Sequence, residues 1–275
     1  MANTLTKEKQ VAVISALAEG NSIRSIERMT EIHRDTIMRL GMRVGETCAQ
    51  ILDQKMRGLT CSRIEVDEIW GFIGKKRRNA TMTDRTRGIG DVWTFMSIDP
   101  VTKLIPSFIV GQRDRYHAHW FMDDLAGRLN NRIQLSTDGM DKYKDAVENA
   151  FGAVVDYAQI VKEYSTPSGQ EVQRRYSPGE LRAVTKTPIN GAPNPDHICT
   201  SYIERANLTM RTHCKRLARL TLAFSKKLPN FKAAIALNIA YYNLVKTHGS
   251  LRCTPAQAAG IESSAWTVGD LVNAA

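Results

Sequence analysis

Strand-like and helix-like segments alternate between residues 63 and 161, and their order constrains the fold more than any other feature of the chain. Ile64–Ile73 is rich in Ile, Val, Phe and Trp, a composition typical of a β-strand. Helical spacing of apolar residues predicts helices from about Tyr116 and over Tyr143–Phe151. The other predicted strands are Val92–Ile98, Leu104–Val110, Ile133–Thr137 and Ala153–Ile160. The order β-β-β-α-β-α-β predicts an α/β fold with a mixed five-stranded sheet flanked by helices.

An aspartate lies inside the first of these strands. Asp67 is part of Ile64-Glu-Val-Asp-Glu-Ile-Trp70, where a carboxylate has poor strand propensity. If the side chain is buried, it needs a cation or hydrogen bonds. Strand alternation puts Asp67 on the same face as Glu65. Glu65 and Glu68 are either solvated or lesser members of a site.

Two further acids follow in well-marked positions. Asp138 ends the strand predicted at Ile133–Thr137, and sites collect at such ends in α/β folds. Its alternative role is to cap the helix that begins at Tyr143. Glu204 lies at the start of a predicted basic helix. It is the one acid in a stripe of polar residues that are three or four positions apart, and so share one face of the helix. The residues of this stripe, which we predict to hold a DNA backbone together with Arg205, are Asn207, Arg211, Lys215 and Arg219.

Carboxylates from the middle of one strand, the end of another and a helix can together hold a pair of Mg²⁺ or Mn²⁺ ions. Two such ions, ~3.5–4 Å apart, can clamp the attacking and leaving oxygens of a phosphodiester. Asp67, Asp138 and Glu204 therefore predict an enzyme that cuts and joins nucleic acid.

The charge of the chain favours a polyanionic partner. Thirty-eight Lys and Arg against 28 Asp and Glu give a net charge of +10. The excess is uneven, because the segment from Thr200 to Arg252 contains ten Lys or Arg and one acid, Glu204. The most basic segment therefore coincides with the third candidate carboxylate.

The first sixty residues predict a helix-turn-helix module. Helical spacing at Val11, Ile14 and Leu17 is followed by a second short helix that Ser22 can cap. A third helix is predicted from Arg34, and a helical linker over residues 46–56 follows. The outward residues of this third helix, which would face a DNA major groove, are Arg34, Thr36 and Arg39. The alternative is a plain three-helix cap.

Two connecting segments are distinctive. Residues 75–87 are basic and polar, begin with Lys75 and Lys76, and predict a hairpin loop that contacts DNA. Regular structure fades over residues 162–200, which contain five of the nine prolines. This Pro-rich insertion is either a functional loop or a solvated linker. Helices are predicted after it, from residue 201 to about 223 and from 229 to 245.

The cysteines predict neither a disulfide framework nor a zinc ribbon. The five are scattered without a Cys-x-x-Cys pair, which fits reduced thiols in the cytosol. His197 with Cys199, and His213 with Cys214, do not assemble a four-ligand zinc pattern. The N-terminus lacks an apolar signal core and no apolar run approaches ~20 residues, so we expect no membrane partner. The expected location is the bacterial cytoplasm, in association with the nucleoid.

A rival constellation points to a tyrosine recombinase. His213-Cys-Lys-Arg216 precedes Tyr241 and Tyr242, and a similar order supports a covalent tyrosine nucleophile in that class. Tyrosine recombinases also need an upstream arginine and a mainly helical catalytic domain, whereas the preceding segment here is rich in strands. Packing explains both tyrosines, because they follow Ile235, Leu237 and Ile239 on a predicted helix.

Several sequence blocks resemble the transposases of the bacterial insertion-sequence-one family, a branch of the DDE transposases with a ribonuclease-H-like fold. The first two are Glu65-Val-Asp-Glu-Ile-Trp-Gly-Phe-Ile-Gly-Lys-Lys76 and Ser136-Thr-Asp-Gly139. The most specific is Tyr202-Ile-Glu-Arg-Ala-Asn-Leu-Thr-Met-Arg211. Lys215–Lys227 and Ile239–Asn243 continue the resemblance, which covers most of the chain from about residue 60.

The resemblance implies Asp67, Asp138 and Glu204 as the catalytic triad, with two Mg²⁺ or Mn²⁺ ions per active site. It implies double-stranded DNA as substrate, at the element's inverted-repeat ends and at the target, and a homodimer or higher synaptic assembly. The expected organisation is a helix-turn-helix domain and linker at 1–60, a ribonuclease-H-like domain at 61–250 and a tail at 251–275. A non-catalytic DNA-binding regulator and a stand-alone nuclease of the same fold are the alternatives.

Overall fold

A computed structural model describes residues 5–165 and 180–275 of the chain. Its helices are α1 (Lys7–Ala18), α2 (Ile23–Thr30), α3 (Arg34–Lys55), α4 (Met82–Thr86), α5 (Arg115–Ala126), α6 (Lys142–Phe151), α7 (Ser201–His213), α8 (Leu228–Ala240), α9 (Pro255–Ala258) and α10 (Val268–Asn273). Its strands are β1 (Arg63–Ile73), β2 (Gly90–Ile98), β3 (Phe108–Gly111), β4 (Ile133–Asp138), β5 (Val155–Tyr164) and β6 (Leu181–Asn190). Within the described ranges, no helix is both long and apolar enough to cross a membrane.

The six strands form one mixed sheet in the order β3-β2-β1-β4-β5-β6. The β1–β2, β2–β3 and β5–β6 pairs are antiparallel, whereas β1–β4 and β4–β5 are parallel. The parallel pairs follow from the crossovers through α5 and α6, since parallel neighbours cannot be joined by a tight turn. The predicted mixed α/β fold is confirmed, and β1 and β4 are its two central strands.

The predicted number of strands was wrong, because a sixth strand lies in the Pro-rich segment. β6 pairs antiparallel with β5 and forms the edge of the sheet. Its residues are nearly all exposed, so it has no apolar face that a sequence pattern could reveal. Pro188 is tolerated because an edge strand can leave one side of its backbone unpaired. Pro167 and Pro178 lie outside the described residues.

The N-terminal helices pack against the C-terminal ones. Thr6 and Ser22 cap α1 and α2 through side-chain oxygens that accept backbone N–H groups. α3 is one continuous helix of 22 residues, where a recognition helix followed by a separate linker was predicted. Gly45 on α3 allows α8 to approach so closely that an added Cβ would lie 2.3 Å from the Ala233 carbonyl oxygen. The buried residues of α1–α3 consequently belong to the same hydrophobic core as the sheet.

Three predicted segments differ in the structure. The first helix after the Pro-rich segment ends at His213, not near residue 223, and a 3-10 turn follows at Lys215–Leu217. α8 ends in a π-helical turn over Tyr241–Val245. The basic connection between β1 and β2, predicted to be a hairpin loop, contains a 3-10 turn and the short helix α4.

Candidate active site

Asp67 and Asp138 lie side by side on the two central strands. The parallel register pairs Val66 of β1 with Thr137 of β4, so that the next residue on each strand is one of these aspartates. One carboxylate oxygen from each of Asp67, Glu68 and Asp138 lies within 4.8 Å of the other two. We call these three residues the acidic cluster.

Asp67 is the member of the cluster with the most perturbed environment. Its Oδ1 accepts a hydrogen bond from the backbone N–H of Glu68 at 2.8 Å, and its Oδ2 accepts one from Asn207 Nδ2 at 2.7 Å. Burial and the charge of Glu68 raise the pKa of Asp67 to about 7, with further contributions from Asp138 and Glu204. A cation at this position would relieve that repulsion.

Glu68 is buried and belongs to the cluster, although sequence alternation assigned it to the opposite face from Asp67. Its Oε1 accepts a hydrogen bond from the Tyr143 hydroxyl, and its Oε2 accepts one from Arg113 Nε at 3.1 Å. Burial and the charge of Asp138 raise its pKa, and the two donors oppose that rise. Of the two roles considered for Glu68, solvated residue or lesser member of a site, its burial rules out the first.

Asp138 does not cap the helix that follows it. Its Oδ1 accepts the backbone N–H of Met140 at 3.0 Å, and the N-cap of α6 is Asp141. Its Oδ2 lies 3.3 Å from Arg113 Nη2. The side chain is therefore oriented toward the cluster by its own turn and by one arginine.

Glu65 fixes α7 against β1. Its buried Oε2 accepts the backbone N–H groups of Tyr202 at 2.8 Å and of Ile203 at 3.0 Å, in the first turn of α7. Burial raises the pKa of Glu65 to about 6, against the effect of these hydrogen bonds. Because Glu65 and Asp67 share a face of β1, this contact determines which part of α7 lies beside Asp67.

Glu204 lies at the rim of the acidic cluster and not within it. Its Oε1 forms an ion pair with Lys162 Nζ and accepts the Thr200 hydroxyl at 2.9 Å. Its side chain is 46% exposed, and its charge contributes to the raised pKa values of Asp67 and Glu65. The structure thus brings Asp67 and Asp138 together and leaves Glu204 facing them from α7.

Comparison with known proteins finds similarity to one family of transposases. The model for the IS1 transposase family matches residues 194–243, which include all of α7, with Glu204, and all of α8. Two Escherichia coli (strain K12) proteins, InsB of insertion elements IS1 2 and IS1 3, are each 24% identical over 180 residues, covering 65% of this chain and 75% of theirs. This chain is similar to the IS1 transposases. The resemblance predicted from the sequence blocks is confirmed.

A solved structure is also similar at low identity. The piggyBac transposase synaptic complex with hairpin DNA is 11% identical, with 97% of this chain and 69% of that chain covered. The TM-score is 0.41, so the likeness is too loose to define a shared fold. The IS1 transposases remain the informative comparison.

The residues predicted to face a DNA major groove lie at the start of α3. Arg34 and Arg39 are exposed, and Thr36 is half-buried. The backbone N–H of Arg34 donates to Glu27 Oε1 at 3.0 Å, which ties α3 to α2 and leaves the guanidinium on the surface. Groove contact by these residues stays a prediction.

Lys75 and Lys76 begin the basic connection between β1 and β2. Lys75 forms an ion pair with Asp84 at 2.8 Å, and Lys76 lies over the rings of Trp70 and Phe72 at 5.4 and 5.8 Å. Both cations are therefore held by the hairpin itself. Their contact with DNA stays a prediction.

The predicted basic stripe of α7 is wrong as a continuous feature. Arg205 is exposed on α7, whereas Asn207 is buried and bonded to Asp67. Arg211 Nη1 donates to the Leu217 carbonyl at 2.9 Å, a contact to the chain that turns back after the end of α7. Lys215 and Arg219 lie beyond α7 and are exposed, so they cannot continue its face. Asn207 is accordingly placed to orient Asp67, and contact of the stripe residues with DNA stays a prediction.

The constellation of the tyrosine recombinase does not assemble. His213 lies 3.3 Å from Glu19, and the Tyr241 hydroxyl donates to the same carboxylate. Arg216 Nη1 donates to Ser225 Oγ at 2.8 Å instead of joining them. Burial, together with the hydrogen bond to Glu19, raises the pKa of Tyr241 to about 12, which disfavours a nucleophilic phenolate. Burial also raises the pKa of Tyr242.

Zinc sites are not indicated in the described parts of the chain. In residues 5–165 and 180–275 the one group of metal-capable side chains is the acidic cluster, which contains neither His nor Cys. Cys214 is buried, and Cys199 Sγ lies 3.0 Å from Ser201 Oγ.

Two cations beside the carboxylates were missed from the sequence. Arg113 contacts both Glu68 and Asp138 and lies 5.1 Å from the Trp93 ring centre. Lys162 reaches Glu204 from β5. Neither lies in a pattern that sequence can single out, because each meets its partner only through the tertiary fold.

Proposed function

We propose that this chain is the DNA transposase of an insertion sequence, which binds the element's terminal inverted repeats and catalyses metal-dependent strand cleavage and strand transfer. The observation that carries the proposal is the acidic cluster, with α7 presenting Glu204 and Asn207 beside it, in a chain similar to the IS1 transposases. The substrate is double-stranded DNA, at the element ends and at the target.

The donor set fits a hard divalent cation. Asp67, Glu68 and Asp138 offer carboxylate oxygens within 4.8 Å of one another, and the Oδ1 of buried Asn207 has no partner among the described residues. Carboxylate and amide oxygens are the ligands that Mg²⁺ and Mn²⁺ prefer. We propose that Asp67, Asp138 and Glu204 hold two such ions, with Glu68 beside them. When bound, the ions supply Lewis acid stabilisation for the attacking and leaving oxygens of the phosphodiester.

The remaining residues of the site position these groups. Asn207 and the Glu68 N–H hold both oxygens of Asp67, and Glu65 holds the first turn of α7. Arg113 balances the charge of Glu68 and Asp138. Catalysis in this proposal is positioning and electrostatic stabilisation, without a covalent protein–DNA intermediate.

The finer assignments belong to the same proposal. A ribonuclease-H-like domain over residues 61–250 is supported by a mixed sheet whose central strands bear Asp67 and Asp138. Residues 1–60 are proposed to recognise the element ends through a helix-turn-helix, with Arg34, Thr36 and Arg39 toward the groove. Two ends must be held together for transfer, so we propose a homodimer or a higher synaptic assembly on the bacterial nucleoid.

The test combines end DNA with a target. Purified protein is incubated with linear DNA that carries the ends of the encoding element and with a supercoiled plasmid, in Mg²⁺ and in EDTA. Joining of 3′ ends into the plasmid in Mg²⁺ alone is expected. Asp67→Asn and Glu204→Gln should keep DNA binding and lose joining by at least about a hundredfold. Asp141→Asn, a change at an exposed acid next to the site, should retain it.

Other outcomes would replace the proposal. Metal-dependent cleavage without joining would indicate a nuclease, and metal-independent cleavage with protein attached to DNA would indicate the tyrosine mechanism.

One observation favours a non-catalytic regulator as the second candidate. Lys162 and Thr200 hold Glu204 outside the acidic cluster, which is the arrangement expected if that carboxylate no longer takes part in chemistry. Sequence-specific binding of end DNA, with no nicking in Mg²⁺ or Mn²⁺, would establish that candidate.

A further inference from the structure

Asn207 is a buried polar residue on the helix that carries Glu204. It lies one turn after Glu204 on α7 and is 8% exposed. Its Nδ2 donates to Asp67 Oδ2 at 2.7 Å. Burial of an amide is unfavourable unless its donors and acceptor are used, so the position demands an explanation beyond packing.

The acceptor of this amide is not used by the protein. Asn207 Oδ1 is buried and has no hydrogen-bond partner within residues 5–165 and 180–275. Above pH 7, where Asp67 is ionised despite its raised pKa, the amide cannot simply be reversed, because the carboxylate accepts hydrogen bonds and offers none. The orientation that serves Asp67 therefore leaves the amide oxygen without a partner.

The cations around the site are already bound to other acceptors. Arg211, on the next turn of α7, donates to the Leu217 carbonyl. Arg113 contacts Glu68 and Asp138, and Lys162 contacts Glu204. No described residue donates to the Asn207 oxygen, although the nitrogen of the same amide contacts Asp67.

We propose that Asn207 Oδ1 is a further oxygen ligand of the divalent cation at Asp67, while its Nδ2 orients that carboxylate. This inference rests on the proposed function. An amide oxygen is a hard neutral ligand of the kind that oxygen-preferring cations accept. Neutrality matters here, because Asp67 already faces the charges of Glu68, Asp138 and Glu204. An apolar residue at this position would add no ligand.

The experiment measures Mn²⁺ binding to the whole chain without DNA, by calorimetry and by electron paramagnetic resonance at pH 8. Asn207→Ala removes both amide groups and should weaken Mn²⁺ binding by about 10- to 100-fold. Asn207→Asp keeps an oxygen and loses the donor, so it should bind Mn²⁺ within a few-fold of the wild type. Equal weakening by both variants would mean that only the hydrogen bond to Asp67 matters, and would overturn the inference.

Two controls separate the possible failures. Asn238 is a matched buried asparagine on α8, 5% exposed, whose Nδ2 donates to the Ala234 carbonyl. Asn238→Ala should lower stability without changing Mn²⁺ affinity. If Asp67→Asn abolishes Mn²⁺ binding and Asn207→Ala does not change it, the inference fails and the proposed metal site stands. If the wild type binds no Mn²⁺, both fail. If Asn207→Ala does not fold, Asn207→Asp decides, and loss of its affinity overturns the inference.

Discussion

Glu65 Oε2 accepts the backbone N–H of Ile203 at 3.0 Å, and this hydrogen bond ties the start of α7 to a strand that lies 138 residues earlier in the chain. The same oxygen accepts the N–H of Tyr202. A carboxylate at a helix N-terminus satisfies free N–H groups and interacts favourably with the helix dipole. Asp67 lies two residues further along β1, and Glu204 lies on α7. By holding α7 against β1, Glu65 therefore sets the distance between these two proposed catalytic carboxylates.

Replacing Glu65 should therefore affect activity and stability together. Glu65→Ala leaves the buried N–H of Ile203 and the partly buried N–H of Tyr202 without their acceptor, and should cost about 1–3 kcal/mol in the free energy of unfolding. Glu65→Gln retains an acceptor oxygen and should recover most of that loss and most of the strand transfer. Denaturant unfolding and the plasmid-joining assay measure the two effects. Alanine and glutamine variants of equal stability and activity would contradict this role.

Asp67 and Glu65 should make the metal-free protein less stable as pH rises. The pKa of Asp67 is raised from 3.8 to about 7, and that of Glu65 from 4.5 to about 6. The folded protein therefore holds protons that the unfolded chain has already lost, so these groups lower the free energy of unfolding as pH increases from about 4 to about 7. Above pH 7 this decrease in the free energy of unfolding is complete.

The control for this pH dependence is Asp67→Asn, which removes the main titrating group. Measured by thermal unfolding in EDTA, the variant should gain stability relative to the wild type between pH 4 and pH 8. A difference in Tm that does not change with pH would contradict the raised pKa of Asp67.

Arg113 should compete with a divalent cation for the acidic cluster. Its guanidinium contacts both Glu68 and Asp138, which are the groups a metal would also contact. Arg113→Ala is expected to lower the Tm of the metal-free protein and to raise Mn²⁺ affinity severalfold, so that Mn²⁺ stabilises the variant more than the wild type. The matched control is Arg115→Ala, because Arg115 pairs with Asp145 and not with the cluster. Unchanged Mn²⁺ affinity in the Arg113 variant would rule out competition.

The contact between α3 and α8 should be sensitive to a single methyl group. A Cβ at Gly45 would lie 2.3 Å from the Ala233 carbonyl oxygen, so the two helix backbones would have to separate. Gly45→Ala should destabilise the protein by about 1–3 kcal/mol, although alanine favours an isolated helix. Gly41→Ala on the same helix should cost much less, because its nearest neighbour is the Leu17 side-chain methyl at 3.0 Å. Chemical denaturation compares them, and equal losses would contradict close packing at Gly45.

Sequence patterns were sufficient to predict those elements whose apolar residues recur at the spacing of a strand or a helix. The strand around Asp67 and the strand that ends at Asp138 were predicted, because alternation and apolar runs mark buried strands. β6 was not, since Leu181–Asn190 is an exposed edge strand held by backbone hydrogen bonds to β5. Such pairing requires no apolar pattern.

Tertiary contacts decided the rest of the site. Residues 214–223 contain good helix formers, yet α7 ends at His213, where Cys214 and Leu217 turn into the core. Burial of these two side chains outweighs helix propensity, which is a weak preference. For the same reason the sequence could not reveal that α7 ends before Lys215 and Arg219, which interrupts the polar stripe that begins at Glu204. Arg113 is likewise defined only by its partners on other elements.

The length of α3 has a consequence for engineering this protein. A helix of 22 residues is about 33 Å long, so one rigid rod runs from Arg34 at the exposed end to Lys55 beside the sheet domain. Its middle turns are seated on α8 at Gly45. A chimera with a different N-terminal module would consequently have to preserve both the length of α3 and the rotational orientation of its residues around the helix axis. Inserting a single residue before Gly45 would rotate the incoming module by about 100° around the axis of the rod.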